Sequence, residues 1–405
     1  MTISNPPRPR IVSVVNTFPS GSETFIERKA RALMAAGFDV TVAAHQTGTS
    51  SEVGGAEPVP RLQLPHPRQP RTWATAARSL TSSQARQRAR PLLREFRQGH
   101  WLVPIAAGGY DIVHFEFSGI AAQVADLLPH LRPARLAVSC RGAAEQIRPH
   151  QDPDRARQLE RVFAEVDLIH CVSQDMADTV GVFGASADKI VVNRPAVDTA
   201  RWSGIGRVDT GPRGTEDAPL RVLSVARLHW KKGFDDAIRA VSLAQANGVH
   251  IQYRIAGEGP EREKLAYLRH SLGLGESVEL LGWQAQQQVE DLLGWADVFL
   301  LPSLSEGISN SALEAMASGV PIVSTRCGGM DEVITRADDG LLTDVGDVSA
   351  LAEALATLVE PERRAALSAG GQATVRASFD LARQAEVFAN AYRTLLSDNS
   401  SALPR

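Results

Sequence analysis

The 405-residue chain is 43% hydrophobic and 22% charged, the balance of an ordinary soluble globular protein. Its formal net charge of −3 excludes a nucleic-acid footprint spread over the whole chain. No run approaches the roughly 20 apolar residues that a membrane-crossing helix needs, and the length predicts two or three domains.

Residues 1–10 are polar and proline-rich and lack the apolar core of a secretory signal, so a cytoplasmic location is expected. Cys140, Cys171 and Cys327 are far apart, without the C-x-x-C spacing of a zinc site or the even count of a disulfide framework. Arginine outnumbers lysine 38 to 5, so each lysine is an unusual choice.

Short β-branched apolar runs recur along the chain. In the first half they span 11–15, 40–43, 112–115, 136–139, 168–172 and 190–192; in the second half, 221–225, 251–255, 278–281, 298–301, 321–324 and 340–342. Several are apolar on both faces, as buried parallel strands are. Segments of helical period lie between them, among them 23–36, 235–247, 261–272 and 348–358. Strands alternating with helices predict an α/β architecture with parallel sheets.

Residues 201–219 hold four glycines and two prolines with no apolar period, which is linker composition. The expected organisation is a Rossmann-like domain over 1–200, a linker over 201–219 and a second Rossmann-like domain over 220–378. A last helix over 379–397 carries Leu381, Val387, Phe388, Ala391, Tyr392 and Leu395 on one stripe. In such folds ligands bind at the carboxyl ends of the strands.

The most informative stretch is 302–334. After an apolar strand ending at Leu301, Pro302 to Gly307 form a loop, and Ser309 or Asn310 can cap a helix that ends at Gly319. First-turn N–H groups of such a helix make an anion site. Glu306 lies in the loop and Glu314 eight residues on. Helical side chains lean towards the N-terminus, so Glu314 points back at the loop. Two carboxylates around a helix N-terminus suit a ligand with hydroxyls at both ends and phosphates between them, a sugar nucleotide. Two solvated glutamates are the plainer alternative.

Three other loops follow predicted strands. Arg227 and Lys232, in Val225-Ala-Arg-Leu-His-Trp-Lys-Lys-Gly233, can neutralise a departing diphosphate; a solvated basic turn is the alternative, above all for Lys231. Gly257 opens the turn Gly257-Glu-Gly-Pro260, which lacks the third glycine of a dinucleotide fingerprint. Gly21, in Phe18-Pro-Ser-Gly-Ser-Glu-Thr-Phe25, would let backbone approach a ligand, or merely punctuate a loop.

Taken together, these loops resemble the family-four glycosyltransferases of the GT-B fold, two Rossmann-like domains facing across a central cleft. The block Pro302, Ser303, Glu306, Gly307, Leu313, Glu314, Ala315, Met316, Ala317, Gly319, Pro321 matches the family's double-glutamate pattern. Arg227, Leu228, Lys232 and Gly233, then Gly257, Gly259 and Pro260, then Gly328, Gly329 and Glu332 follow in family order. The segment Ser22-Glu-Thr-Phe-Ile-Glu-Arg28 is similar to members that make bacterial exopolysaccharide.

The resemblance implies a retaining, metal-independent hexosyltransferase of polysaccharide biosynthesis. Its donor would be a UDP- or GDP-type sugar, with no further cofactor, and its acceptor a carbohydrate or a lipid-linked sugar. By the same resemblance, Arg227 and Lys232 would hold the diphosphate and stabilise the leaving phosphate. Glu306 would contact the transferred sugar, with Gly307, Ile308, Ser309 and Asn310 lining the donor site. Glu314 would hold the ribose, Gly21 and Gly257 would lie against the donor, and the last helix would cross back to the first domain.

Where many relatives carry a His-Gly pair in the first domain, this chain reads Arg141-Gly142. His114, at the end of a strand, is the other candidate for a polar group there, or else a satisfied strand-end histidine. The only Asp-x-Asp, Asp152-Pro-Asp154, falls in a predicted loop and is not expected to hold a metal. Residues 68–97 carry eight arginines against one acid, Glu95. They can lie on anionic lipid at the inner face of a membrane or form a solvated basic face.

Three other functions compete with glycosyl transfer. A sugar-nucleotide epimerase shares the fold but not the Glu306 and Glu314 block. A non-catalytic sugar-nucleotide binder would not need the whole phosphate constellation. A nucleotide-dependent oxidoreductase would open with a G-x-G-x-x-G turn after its first strand, and this chain does not.

Overall fold

The computed structural model describes residues 7–20, 23–48, 58–65, 73–94, 99–206 and 211–397. The chain divides into two compact units. The first comprises Met1–Val172, Met176–Asn193 and Ala385–Arg405, and the second Ser173–Asp175 and Arg194–Gln384.

The first unit is built on seven strands: β1 (Arg10–Thr17), β2 (Asp39–Gln46), β3 (Arg61–Gln63), β4 (Ile112–Phe115), β5 (Arg135–Cys140), β6 (Leu168–Cys171) and β7 (Ile190–Val192). They pair in the order β3-β2-β1-β4-β5-β6-β7, every pair parallel. All four residues of β4 and five of six in β5 are buried, which explains why these runs are apolar on both faces. Strand β3 has one apolar residue in three and carries no sequence signal of its own.

Six strands make the second unit's sheet: β8 (Leu220–Val225), β9 (Ile251–Ala256), β10 (Val278–Gly282), β11 (Val298–Leu301), β12 (Ile322–Thr325) and β13 (Leu341–Thr343). Their order is β10-β9-β8-β11-β12-β13, again parallel throughout. In both sheets the order reverses once, between β1 and β4 and between β8 and β11. Loops leaving adjacent strands at such a reversal run to opposite faces and leave a crevice at the carboxyl ends.

Residues 201–206 and 211–219 of the expected linker are described. They begin inside the helix Thr199–Trp202, capped by Asp198, and Trp202 is buried. Gly206 N donates to Ser318 O at 2.9 Å, Arg213 N to Val359 O at 3.1 Å, and Arg364 Nη2 to Gly211 O at 2.5 Å. The described parts of the segment, 201–206 and 211–219, are fastened to the second unit, and the change of unit falls at Asn193–Arg194. The last helix spans Leu381–Ser397, and from Ala385 onward it belongs to the first unit, where Phe388, Tyr392 and Leu395 are buried.

Candidate active site

In the second unit, the loops after β8 and β11 are tied together through their backbones. Leu304 N donates to Lys231 O at 2.7 Å. Gly233 adopts φ +62°, and a Cβ there would lie 2.0 Å from Pro302 O, so only glycine allows the approach. The loop after β9 is docked on the same ledge. Leu228 N donates to Glu258 O at 2.9 Å, and Glu261 N to Leu228 O at 3.1 Å. Gly257, at φ +145°, packs so tightly on Ala226 O that a Cβ would stand 1.9 Å away. Gly257 is thus fixed by a backbone crossing.

This scaffold brings Lys232 and Glu306 into an ion pair, with side chains 13% and 11% exposed. Glu306 Oε1 also accepts from Ser303 Oγ at 3.0 Å, and Ser303 is held in turn through its carbonyl by Thr325 Oγ1. Arg227 is exposed and makes no ion pair among the described residues. Burial, together with Lys232 and Arg227, lowers the Lys231 pKa against the opposing pull of Glu306. His229 is lowered by desolvation and by Lys231 and Arg227. Three cations, Arg227, Lys231 and Lys232, outnumber the carboxylates of Glu306 and Glu261 and leave the crevice between β8 and β11 electropositive.

Beyond that loop, Ser309 caps the helix Asn310–Ser318, its Oγ accepting from Ala312 N at 3.4 Å. The helix closes at Gly319, φ +87°. Gly307, Ile308 and Ser309 are buried and Asn310 is exposed. Gly329 N donates to Gly307 O at 2.7 Å, which holds the loop before the helix in place. Glu314 is half-buried on the second turn. Glu332 accepts at Oε2 from Arg194 Nε at 2.8 Å.

Gly21 lies outside the described residues. The first unit's other candidates meet in one buried network. Glu116, immediately after β4, accepts at Oε1 from Lys29 Nζ at 2.7 Å and Ser13 Oγ at 3.0 Å. Its Oε2 accepts from Arg141 Nη2 at 3.0 Å, and its carbonyl from Arg141 Nε at 3.0 Å. Burial opposes the charge of Glu116, but Lys29 and Arg141 hold its carboxyl far below the usual range. Desolvation brings Lys29 down to about 8, against the pull of Glu116.

His114 is wholly buried. Its proton is placed by the chain of partners. Asn193 O can only accept, so His170 Nε2, at 2.8 Å, is the protonated nitrogen. His170 Nδ1 then accepts from Ser139 Oγ at 2.8 Å, and Ser139 accepts from His114 Nε2 at 2.7 Å. His114 Nδ1 is left to accept from Lys29 Nζ at 3.1 Å and from the Tyr392 hydroxyl. Both imidazoles are neutral, and burial lowers both pKa values well below the ordinary one. His114 is therefore a satisfied interior histidine that presents no edge to a ligand, whereas Arg141 keeps 17% of its side chain exposed. Lys29 and Glu116 had no place among the sequence candidates. The signal for Lys29 was a scarce lysine on the buried stripe Ile26, Ala30, Leu33 of the helix Thr24–Ala35.

Asp152 and Asp154 serve a helix start. Asp152 caps Pro153–Glu165 by accepting from Asp154 N at 3.0 Å, and Asp154 pairs with Arg157. Within 68–97, the helices Trp73–Ser79 and Ser83–Arg94 are described, while 68–72 and 95–97 lie outside the described residues. The second helix buries Ala85, Ala89 and Leu92 and exposes Arg86, Arg90 and Leu93. Among the described residues no helix is long and apolar enough to cross a membrane.

Known proteins carry the same pattern. Residues 19–201 match the model described as Glycosyltransferase Family 4, and residues 211–374 the model described as Glycosyl transferases group 1. WcaL of Escherichia coli strain K12, provisionally named a colanic acid biosynthesis glycosyltransferase, is 30% identical over 84% of this chain and 88% of its own. The chain belongs to glycosyltransferase family 4. Another relative in the family, the amylovoran biosynthesis glycosyltransferase AmsK of Erwinia amylovora, is 32% identical over 64% of this chain and 63% of its own.

Solved structures agree on the GT-B fold. Sucrose-phosphate synthase from Thermosynechococcus elongatus superposes with TM-score 0.71 at 18% identity, covering 96% of this chain and all of that one. HepE of Anabaena, crystallised with UDP and glucose, gives 0.69 at 17% identity, covering 96% and 100%.

Proposed function

We propose that this family 4 glycosyltransferase moves a hexosyl group from a nucleoside diphosphate sugar to a carbohydrate or lipid-linked acceptor, with retention of anomeric configuration and without a metal ion. The observation that carries the reading is the electropositive crevice between β8 and β11, where Lys232 stands fixed by Glu306 beside Arg227, Lys231 and His229. Glycosyl transfer breaks the bond between the anomeric carbon and the diphosphate oxygen, and negative charge grows on the departing phosphate. Fixed cations aimed at that charge stabilise the transition state more than the ground state.

In this reading Arg227 and Lys232 meet the diphosphate, taking the role a metal would otherwise fill. Glu306 holds hydroxyls of the transferred sugar and Glu314 those of the ribose. Gly307 to Asn310 place the amides of a capped helix start against the donor. The acceptor hydroxyl adds to the anomeric carbon as the bond to the diphosphate oxygen breaks, and its proton passes to the departing phosphate. Family membership and the UDP carried by HepE favour a UDP-type donor.

A thermal-shift screen of nucleotide sugars identifies the donor, since a ligand at 100 times its Kd adds about 2.7 kcal/mol. Proton NMR of the transferred sugar then reads the anomeric configuration. The account expects stabilisation by one nucleotide sugar and an unchanged anomer. An inverted product contradicts retention, and no stabilisation by any nucleotide sugar contradicts the donor assignment.

A further inference from the structure

The buried network of the first unit does not balance its charges. Lys29 and Arg141 bring two positive charges to the single carboxylate of Glu116, whose two oxygens are both occupied. His114 and His170 are neutral. Another buried acid, Glu145, is engaged elsewhere: it accepts from Gly142 N at 3.1 Å and from Ser118 Oγ, and burial raises its pKa. The surplus positive charge therefore stays with Lys29 and Arg141, and of these Lys29 is sealed inside.

Arg141 is the outlet. It is the first residue after β5, at the carboxyl edge of the sheet, and 17% of its side chain is exposed. Nε and Nη2 are committed to Glu116, with Nη2 also 3.4 Å from Ser139 Oγ. Among the described residues Nη1 has no partner, so two N–H donors point away from the network. The guanidinium lies over the Phe25 ring, 4.4 Å from its centroid, with the Phe117 centroid 6.0 Å away. A guanidinium bound along one edge, stacked on a face and free along its remaining nitrogen is a preorganised donor for an oxyanion.

We propose that Arg141 binds an anionic oxygen ligand, a phosphate or carboxylate group of a substrate, through Nη1, and that Glu116 and Lys29 are positioning residues that hold it there. The site stands on the first unit alone. Only its assignment to donor or acceptor rests on the glycosyltransferase reading above.

Full-length protein carrying Arg227→Ala and Lys232→Ala, which removes two cations of the second unit's crevice, is titrated with inorganic phosphate by calorimetry. Saturable binding is expected. Adding Arg141→Gln should weaken it about tenfold or more, as for loss of a charge-assisted hydrogen bond, and Arg141→Lys by less. Glu116→Gln and Lys29→Met should weaken it in parallel among variants whose near-ultraviolet circular dichroism is native. Should either misfold, Ser13→Ala, which removes one bond to Glu116, serves in its place. No phosphate binding in that background, or binding indifferent to Arg141→Gln, overturns the proposal. A lowered Tm with unchanged phosphate affinity in the Glu116 and Lys29 variants overturns the positioning role.

Arg141→Gln alone then separates the two sources of the anion. A raised Ki for UDP assigns the donor diphosphate. A raised acceptor KM with unchanged Ki assigns an anionic acceptor, and no change in either overturns a role in the reaction. Failure of the donor assignment itself would show differently, as no UDP binding by the unmodified protein.

Discussion

Lys232 and Glu306 form an ion pair across the point where the second sheet reverses its strand order, one residue from the loop after β8 and the other from the loop after β11. Neither side chain is far into solvent, and Ser303 supports the carboxylate from below. The pair sets the lysine in place before any donor arrives. Glu306→Gln should therefore lower kcat/KM about 10- to 100-fold, the worth of one hydrogen bond to a charged group. A loss under twofold in steady-state kinetics would remove Glu306 from the site.

Activity should survive EDTA if, as proposed, Arg227, Lys232 and a capped helix start meet the diphosphate. Asp152 and Asp154 are already engaged in beginning a helix. Turnover lost on chelation and restored by Mg²⁺ or Mn²⁺ would contradict this.

Arg86 and Arg90 stand exposed one turn apart, with Leu93 beyond them, on the helix whose other face buries Ala85, Ala89 and Leu92. Replacing both arginines with Gln should weaken binding to anionic vesicles by about 1 kcal/mol per residue. Thermal stability and UDP affinity should hold. Unchanged co-sedimentation would mean that the basic face is simply solvated.

Gly233→Ala should destabilise the second unit by about 1–3 kcal/mol, from its left-handed backbone and the approach to Pro302 O. At about 2–4 °C per kcal/mol for a unit of this size, Tm should fall by roughly 2–12 °C. Gly248→Ala is the control: φ is +87°, but nothing lies within 4 Å of its Cβ, so the loss should be smaller. Equal losses would show that the crossing of loops contributes nothing.

What was legible in the sequence follows from local physics. Apolar runs such as 298–301 became buried parallel strands because period and composition act within a few residues. Ser309 and Gly319 bound the helix that carries Glu314 for the same reason. The meeting of Lys232 with Glu306, 74 residues apart, depends on strand order, which no local pattern encodes. Lys29, Ser139 and Tyr392 converge on His114 from three distant segments, and the helix bearing Lys29 reads as ordinary amphipathic sequence. At 201–206 and 211–219, glycine and proline report backbone shape and say nothing of the bonds from Gly206, Gly211 and Arg213 to the second unit.

The most direct test of the account is the kinetic contrast between Lys232→Ala and Glu314→Gln on one donor, each first checked for folding by circular dichroism. If Lys232 meets charge that grows on the leaving phosphate, its loss should lower kcat by roughly 10²–10³-fold. If Glu314 holds the ribose equally in ground and transition states, Glu314→Gln should mainly raise the donor KM. Near-normal turnover of Lys232→Ala at saturating donor would contradict the leaving-group site and leave the basic loop after β8 without a role in the chemistry.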